Sequence, residues 1–516
     1  MKKTIGLVMA SILTVGSIAG CADGGNKQGD KANGAAGPTK FSIAFPITTG
    51  DGYGQRQADL SKEKWVQRLN KLTNTELDVR LIQREKMGVV FAGNDIPDVM
   101  GTTFLPTGKD MGGSVEAGIF QPLDEVLKQY APNLLKKVPK EVWDTVSYNG
   151  HIYAIPDYLT NPSRRGTFIR TDLLEKAGLP VPQTVDDFLN VMRAFKKLGV
   201  ENPYQMRENF KYADVIFGAY DVLPYKDQFE KKGDQIVPKF FDVENTQKVL
   251  QTYKTMYDEG LIPKDFAIIS STDYSKMINA GKSGMWSANV GGGLQAFRTN
   301  IQAVNPNAKV DVIASPKGPE GKNGYALYSP TVRTFYINKK VDKDKLVAIM
   351  KYFDWMATDE AAIFFSYGIE GENYTIDNGK INYKIPANKE EKDEESWRSG
   401  TLWAGQDATY NKLQLQLNQD GQDTLKAFDT ILSKEGLPGI SFTPDLNAFA
   451  KYPDLTPTSD TGAKLIVDHM VKMVYGKEPI SDWPKVIEEY KSKGGNEIIK
   501  EATDRYNKKE GVTIGR

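Results

Sequence analysis

Few side chains in this sequence can make or break bonds. Its 516 residues hold two histidines, His151 and His469, and one cysteine, Cys21. The histidines are far apart, the first in a stretch that reads as a hairpin and the second in an amphipathic helical pattern. Each reads as a structural rather than a catalytic histidine. No His-Glu-x-x-His pair, phosphate-cradling Gly-x-x-x-x-Gly-Lys-Ser/Thr loop or Gly-x-Ser-x-Gly turn occurs. A single cysteine excludes disulfides within the chain and zinc sites built on thiolates. Two carboxylates at the right separation suffice for glycoside hydrolysis, and with 66 acidic residues the sequence leaves that chemistry open. Asp186 and Asp187, however, stand where a helix begins and read as caps.

Groups suited to binding are more plentiful. Trp286 follows Gly281-Lys282-Ser283-Gly284-Met285 and is expected at or near a strand end, although a core role explains it equally well. Tyr325, Tyr328, Ser329 and Arg333 gather around the start of a strand expected from Thr334 to Ile337. Trp397, Arg398, Trp403 and Tyr410 form a third group. Sugar rings offer flat CH faces and many hydroxyls, so a sugar site needs aromatic platforms and multivalent hydrogen-bonding groups. Arg164, Arg165 and Arg333 point to an acidic sugar, although guanidinium groups also bind neutral hydroxyls. With 66 basic and 66 acidic residues the net charge is zero, which argues against a nucleic acid or other polyanion as partner.

The elements that must position these groups begin at Phe41. FSIAFP reads as a buried strand, followed by a Gly-rich loop, a helix from about Ala58 to Leu72, a strand over Leu77 to Ile82, a helical turn near Lys86 to Phe91 and a strand over Asp95 to Met100. Strands alternating with helices imply a doubly wound α/β unit with parallel strands. Ligands of such sheets sit beyond the carboxyl ends of the strands, which places Asp51 and Tyr53 near a cleft. Asn149-Gly150 marks a hairpin turn. Thr171 or Asp172 is expected to cap a helix that Gly178 stops, and Thr184 with Asp187 makes a capping-box start for a helix to Leu198. Gly291-Gly292-Gly293 reads as a flexible turn, and the acidic run Glu390 to Glu395 as a solvated surface.

At the N-terminus Lys2 and Lys3 precede an apolar run from Ile5 to Ala19, closed by Ile18-Ala19-Gly20-Cys21. This is the layout of a secretory signal peptide over 1–20. The last four residues resemble the bacterial lipobox, whose cysteine is acylated and becomes the new N-terminus; Ile18 stands where leucine is usual. Residues 21–39, rich in Gly, Ala, Asn and Lys, read as a flexible tether. The expected product is a monomeric body held by the lipid on Cys21 at the extracellular face of the cell membrane.

Three further stretches carry a resemblance. Tyr367-Gly368-Ile369-Glu370-Gly371-Glu372-Asn373-Tyr374, Ala92-Gly93-Asn94-Asp95-Ile96-Pro97-Asp98-Val99 and Phe168 to Leu179 resemble, in order and spacing, extracellular solute-binding protein family 1, and within it the alginate- and pectin-oligosaccharide-binding lipoproteins of ABC importers. The C-terminal segment from Gly476 is also similar. The resemblance implies a type II, two-lobe α/β fold with a ligand cleft between the lobes. Lobe 1 would take residues 40–160 and 315–370, and lobe 2 residues 161–314 and 371–516. It implies an oligosaccharide ligand, an ABC permease as partner and no catalysis. Trp286 and Trp403 would stack on sugar, Arg333 would be a polar anchor, and the loop from Tyr158 to Arg165 would line the cleft, with Tyr328 and Tyr53 nearby. Many relatives carry a calcium loop after the helix that here ends at Leu198, but this chain continues Gly199-Val200-Glu201-Asn202-Pro203-Tyr204, so no metal or other cofactor is expected. A surface polysaccharide lyase or hydrolase, and a peptide-binding lipoprotein of the same fold, are the alternatives.

Overall fold

The computed structural model describes residues 37–47, 52–83, 86–93, 95–106, 111, 113–442 and 445–514. The expected signal peptide, Cys21 and Asp51 lie outside them, as does most of the expected tether. Among the described residues nine strands build the two larger sheets: β1 (Thr39–Ile47), β2 (Thr75–Gln83), β3 (Val99–Thr102), β4 (Ala154–Tyr158), β5 (Arg165–Arg170), β6 (Asn202–Tyr204), β7 (Ser283–Asn289), β8 (Val310–Ile313) and β9 (Thr331–Ile337). The first sheet has the order β2–β1–β3–β9–β4 and the second β8–β5–β7–β6.

The expected parallel unit is present in β1, β2 and β3, but β9 pairs antiparallel with both β3 and β4. The second sheet is likewise mixed, with β5 antiparallel to β7 and β8, and β7 parallel to β6. The third strand begins at Val99 rather than Asp95. Pro97 has no N–H to give, and the Asp98 carboxylate instead takes the Ser42 amide at 2.8 Å.

Local signals in the sequence are realised where the chain closes its own hydrogen bonds. Asn149 and Gly150 adopt φ of 48° and 81°, the left-handed pair that a two-residue hairpin turn requires. The helix α1 (Thr171–Ala177) ends at Gly178 with φ 65°, and α2 (Val185–Lys197) starts with the Thr184–Asp187 capping box. Neither Thr171 nor Asp172 caps α1. Its N-cap is Arg170, and Asp172 is drawn back onto the Arg170 guanidinium by two 2.7 Å bonds. The three glycines form no free turn. Beyond the short helix α3 (Asp214–Ala219), they lie in the first turn of a 15-residue helix, α4 (Val290–Val304). A Cβ on Gly293 would lie 3.2 Å from the Phe168 ring, so the helix start packs closely there. The acidic run forms a helix, Lys389–Ser396, tied to the first lobe through Arg56–Glu390 at 2.7 Å and Trp65 Nε1–H to Glu394 at 2.8 Å.

Each sheet is buried on both faces. On the second, consecutive residues point to opposite sides: Ile169 and Met285 enter a core with Phe188, Tyr204 and Tyr253, whereas Phe168 and Trp286 enter one with Leu294 and Phe428. The first lobe's core gathers Phe41, Phe45, Trp65, Phe335 and Phe353, and continues through Trp397, Leu402, Trp403 and Ala404. It therefore passes the expected boundary at residue 370. Conversely Tyr325, expected in lobe 1, is in the second core, its hydroxyl bonded to Thr167 at 2.6 Å and to Ser287 at 2.8 Å. The return crossing thus falls just before Thr331, not at 315.

One arginine binds three elements of the second lobe. Arg298 of α4 meets Asp311 of β8 and, at 2.7 and 2.6 Å, Asp420 and Asp423 of α5 (Gln419–Thr430). Burial opposes ionisation of Asp423, but hydrogen bonds from Arg298 and Gln419 outweigh it and hold the carboxyl below its ordinary value of 3.8. A depressed carboxylate contributes stability above its unfolded pKa and loses it as pH falls through the folded value. Arg298→Ala is expected to cost about 2–3 kcal/mol, an exposed-edge discount on a buried pair. Urea unfolding at neutral pH and at a series of acidic pH values should show the difference shrinking as pH falls below 3.8 through the folded value of Asp423.

Candidate functional site

Among the described residues the chain passes between the two lobes three times, and the crossing segments lie side by side. Leu159 donates to the Pro330 carbonyl at 2.8 Å, Tyr328 to Pro162 at 3.0 Å, Tyr158 to Gln406 at 2.9 Å and Ala408 to Tyr158 at 2.7 Å. Asp407 fastens the first crossing to the third, accepting the Thr160 hydroxyl at 2.5 Å and the Thr409 amide at 3.0 Å. The crossings leave β4 at Tyr158 and enter β5 at Arg165. They therefore stand at the carboxyl ends of β1, β2 and β3 and, by the Arg165–Asn289 register, at the carboxyl end of β7. This is where ligands of α/β sheets bind.

A buried ion pair anchors the crossings on each side. In the first lobe Arg333 of β9 donates to Asp157 at 2.6 Å and to the carbonyls of Thr401 and Trp403 at 2.9 and 2.6 Å; Asp157 also accepts the Gly405 amide at 2.6 Å. Burial pushes the Asp157 carboxyl up, against the pull of Arg333. In the second lobe Arg165 donates to Asp214 of α3 at 2.7 Å and to the Tyr328 hydroxyl at 2.8 Å. Burial likewise raises Asp214.

From Arg165 an alternating ladder of arginines and tyrosines extends along the second lobe. Arg207 lies 5.9 Å from the Tyr274 ring and 5.4 Å from the Tyr212 ring; Arg165 lies 4.6 Å from Tyr212 and 6.0 Å from Tyr328; Arg164 lies 5.7 Å from Tyr328. Guanidinium groups over tyrosine faces are attracted by the ring quadrupole. The loop carrying Tyr212 is strained, with φ of 57°, 55° and 57° at Asn209, Phe210 and Tyr212, values that bulky residues avoid. It is held by Phe210 packing on Phe217, Tyr253 and Phe266, and by the Tyr204 hydroxyl donating to the Tyr212 carbonyl at 3.1 Å. Such strain persists only where surroundings over-determine it, and it clusters at binding sites.

The structure divides the sequence candidates. Arg165 and Tyr328 meet at the crossings. Arg333 and Tyr158 are there too but buried, Tyr158 with its hydroxyl on the Lys137 carbonyl at 3.2 Å, so both brace the crossings. Trp286 is a core residue: it lies inside β7, has no exposed surface and stacks on Phe168 at 5.9 Å and 3°. Trp403 is also packed away, stacked on Phe365 at 5.2 Å with its Nε1–H on the Met356 carbonyl. Neither offers a face to a sugar here. Tyr53 remains half-buried beside Trp397, at 6.4 Å, with its hydroxyl toward Glu63. Sequence reasoning missed Arg207, Tyr212 and Asp214. Their one signal was the arginine and tyrosine content of the Arg207–Asp214 stretch just ahead of a helix. His469 sits between Glu478 and Glu489, and His151 beside Asp124, both apart from the ladder.

Cavities of about 700 and 500 Å³ open among the C-terminal helices, lined by residues such as Phe241 and Lys491, and Tyr452 and His469, respectively. Neither includes a ladder residue. The loop after α2 does not fit calcium: Glu201 pairs with Lys282 at 3.0 Å, Asn202 is buried in β6, and among the described residues no group of three or more metal-ligating side chains converges.

The sequence profile of the bacterial extracellular solute-binding proteins matches residues 54–363. The chain belongs to that family. It is 24% identical to the polygalacturonan/rhamnogalacturonan-binding protein YtcQ of Bacillus subtilis over 97% of this chain and 98% of the relative. It is 25% identical to the lipoprotein LipO of the same organism over 98% of each. Among solved structures, this solute-binding protein is similar to the calcium-free alginate-binding protein AlgQ2, with TM-score 0.62, 19% identity and coverage of 91% of this chain and 98% of the other. The fold is therefore type II, as expected.

Because the two tryptophans are core residues, Trp286→Ala is expected to destabilise the solute-binding protein by about 3–5 kcal/mol. Tyr328→Ala, at a half-buried position, is expected to cost much less. Thermal unfolding of the two variants without any ligand checks this; a Trp286→Ala protein as stable as wild type would return Trp286 to the list of free platforms.

Proposed function

We propose that this protein captures an oligosaccharide, of the acidic class named for its relatives, between its two lobes and delivers it to an ABC permease while held to the membrane through acylated Cys21. The three hydrogen-bonded crossings carry this reading: they form a narrow hinge about which two separately cored lobes can close. Polar and aromatic groups stand at the hinge side of both lobes, with Tyr53 on one and the arginine–tyrosine ladder on the other. Rings and guanidinium groups of this kind suit the flat faces and hydroxyls of sugars. Capture needs no bond to be made or broken, and the histidines are engaged with carboxylates away from the cleft.

A ligand that binds only the folded state raises stability by mass action, by about 2.7 kcal/mol at a hundred times its Kd. Thermal unfolding of the full-length chain against oligogalacturonides, oligoalginates, neutral oligosaccharides and short peptides is expected to show a rise with a sugar class and none with peptides. A rise with peptides alone would replace the sugar reading with peptide capture on the same fold; shortening of the sugar during incubation would replace it with catalysis. For the anchor, Cys21→Ser is expected to abolish incorporation of labelled palmitate and to release the protein into the medium. Retention of label would rule out Cys21 as its site.

A further inference from the structure

The sequence offered Arg164, Arg165 and Arg333 as readers of an acidic ligand, and the structure separates them. Arg165 and Arg333 are each buried against a carboxylate, Asp214 and Asp157. Arg207, the next guanidinium along the ladder, is paired with Glu208 at 2.5 Å. These three positive charges are already neutralised, so they contribute stacking, shape and hydrogen bonds but little net attraction for an anion. Arg164 differs. It is the outermost rung, half-buried at the first crossing and over the Tyr328 ring. Among the described residues it has no carboxylate partner, whereas every other described arginine from Arg165 to Arg505 has one.

We propose that Arg164 is the residue that discriminates acidic from neutral oligosaccharides, pairing its guanidinium edge with a uronate carboxylate of the bound chain; this rests on the capture reading above. A guanidinium laid over a tyrosine keeps its N–H donors in the plane of the fork, free to meet a carboxylate through two parallel bonds. Its backbone is fixed as well, since the Arg164 carbonyl accepts the Val290 amide at 2.9 Å. Partial burial removes some of its water before the ligand arrives, and a half-desolvated cation without a counter-charge favours an anion over a hydroxyl.

The test is titration calorimetry of the purified full-length chain with trigalacturonate and trimannuronate, each beside its carboxyl-reduced neutral counterpart. Wild type is expected to prefer an acidic member, with affinity that falls as sodium chloride rises. Arg164→Gln is expected to shrink the acid-over-neutral ratio about 10- to 100-fold and flatten the salt dependence, with Arg164→Lys intermediate because a point charge replaces the fork. A structural role would lower acidic and neutral binding together and leave the ratio intact, which overturns the proposal. So does a wild type that binds the neutral counterparts equally well, although sugar capture then stands. Binding of neither class by wild type removes both.

Discussion

The structure depends on two buried carboxylate–guanidinium pairs, Asp157–Arg333 and Asp214–Arg165, that hold the ends of the crossing segments. Taking a carboxylate and a guanidinium out of water costs several kcal/mol per ion, and attraction between them compensates only when the remaining donors and acceptors are filled. In the first lobe they are: Arg333 spends its other N–H groups on the Thr401 and Trp403 carbonyls, and Asp157 takes the Gly405 amide. The pair thereby fixes where the third crossing leaves β4 and β9. In the second lobe Arg165 joins β5, α3 and Tyr328 of the second crossing through one side chain. Removing one partner of either pair would leave a buried, uncompensated charge at the sheet end where the crossings enter.

Much of the fold was legible because its signals are local. Thr184 with Asp187, Asn149-Gly150 and Gly178 each complete a hydrogen bond or a left-handed turn within a few residues, so neighbouring sequence decides them. The misreadings arose where a distant partner decides. Asp172 is a plausible cap until Arg170 claims it. Gly291-Gly292-Gly293 reads as a turn, yet it opens the helix Val290–Val304, where Gly293 packs beside Phe168, far away in sequence. The lobe boundaries failed for the same reason. The segment after Glu370 is polar and could join either lobe, and only the burial of Trp397, Leu402 and Trp403 among first-lobe residues assigns it.

The candidate site was half legible. Residue type revealed that aromatics and arginines were in surplus, but type does not show which of them are already used. Trp286 and Trp403 are the largest aromatic candidates, and size alone made them attractive; that same size makes them efficient fillers for the cores on which both lobes rely. The half-buried groups beside the crossings are smaller or less conspicuous, Tyr212, Tyr328 and Arg164, and Arg164 alone among the ladder's arginines keeps its charge uncompensated, because Asp214 and Glu208 neutralise its neighbours. Burial and pairing are properties of the fold, and no spacing rule in the sequence encodes them.

The strain in the Tyr212 loop bears on how such a cleft can work. Three non-glycine residues with left-handed backbone cost on the order of 1–3 kcal/mol each, and a loop free to move would relax. Here it does not relax, because Phe210 is locked in the second core and the Tyr212 carbonyl is held by Tyr204. Tyr204 is itself bonded to Ser287 at 2.9 Å, and Ser287 to Tyr325. The ladder is therefore set before any ligand arrives, so binding loses little entropy in ordering it. On the capture proposal, closure about the three side-by-side crossings would move the two walls without reshaping either, and a wall that keeps its shape would be able to discriminate among sugars.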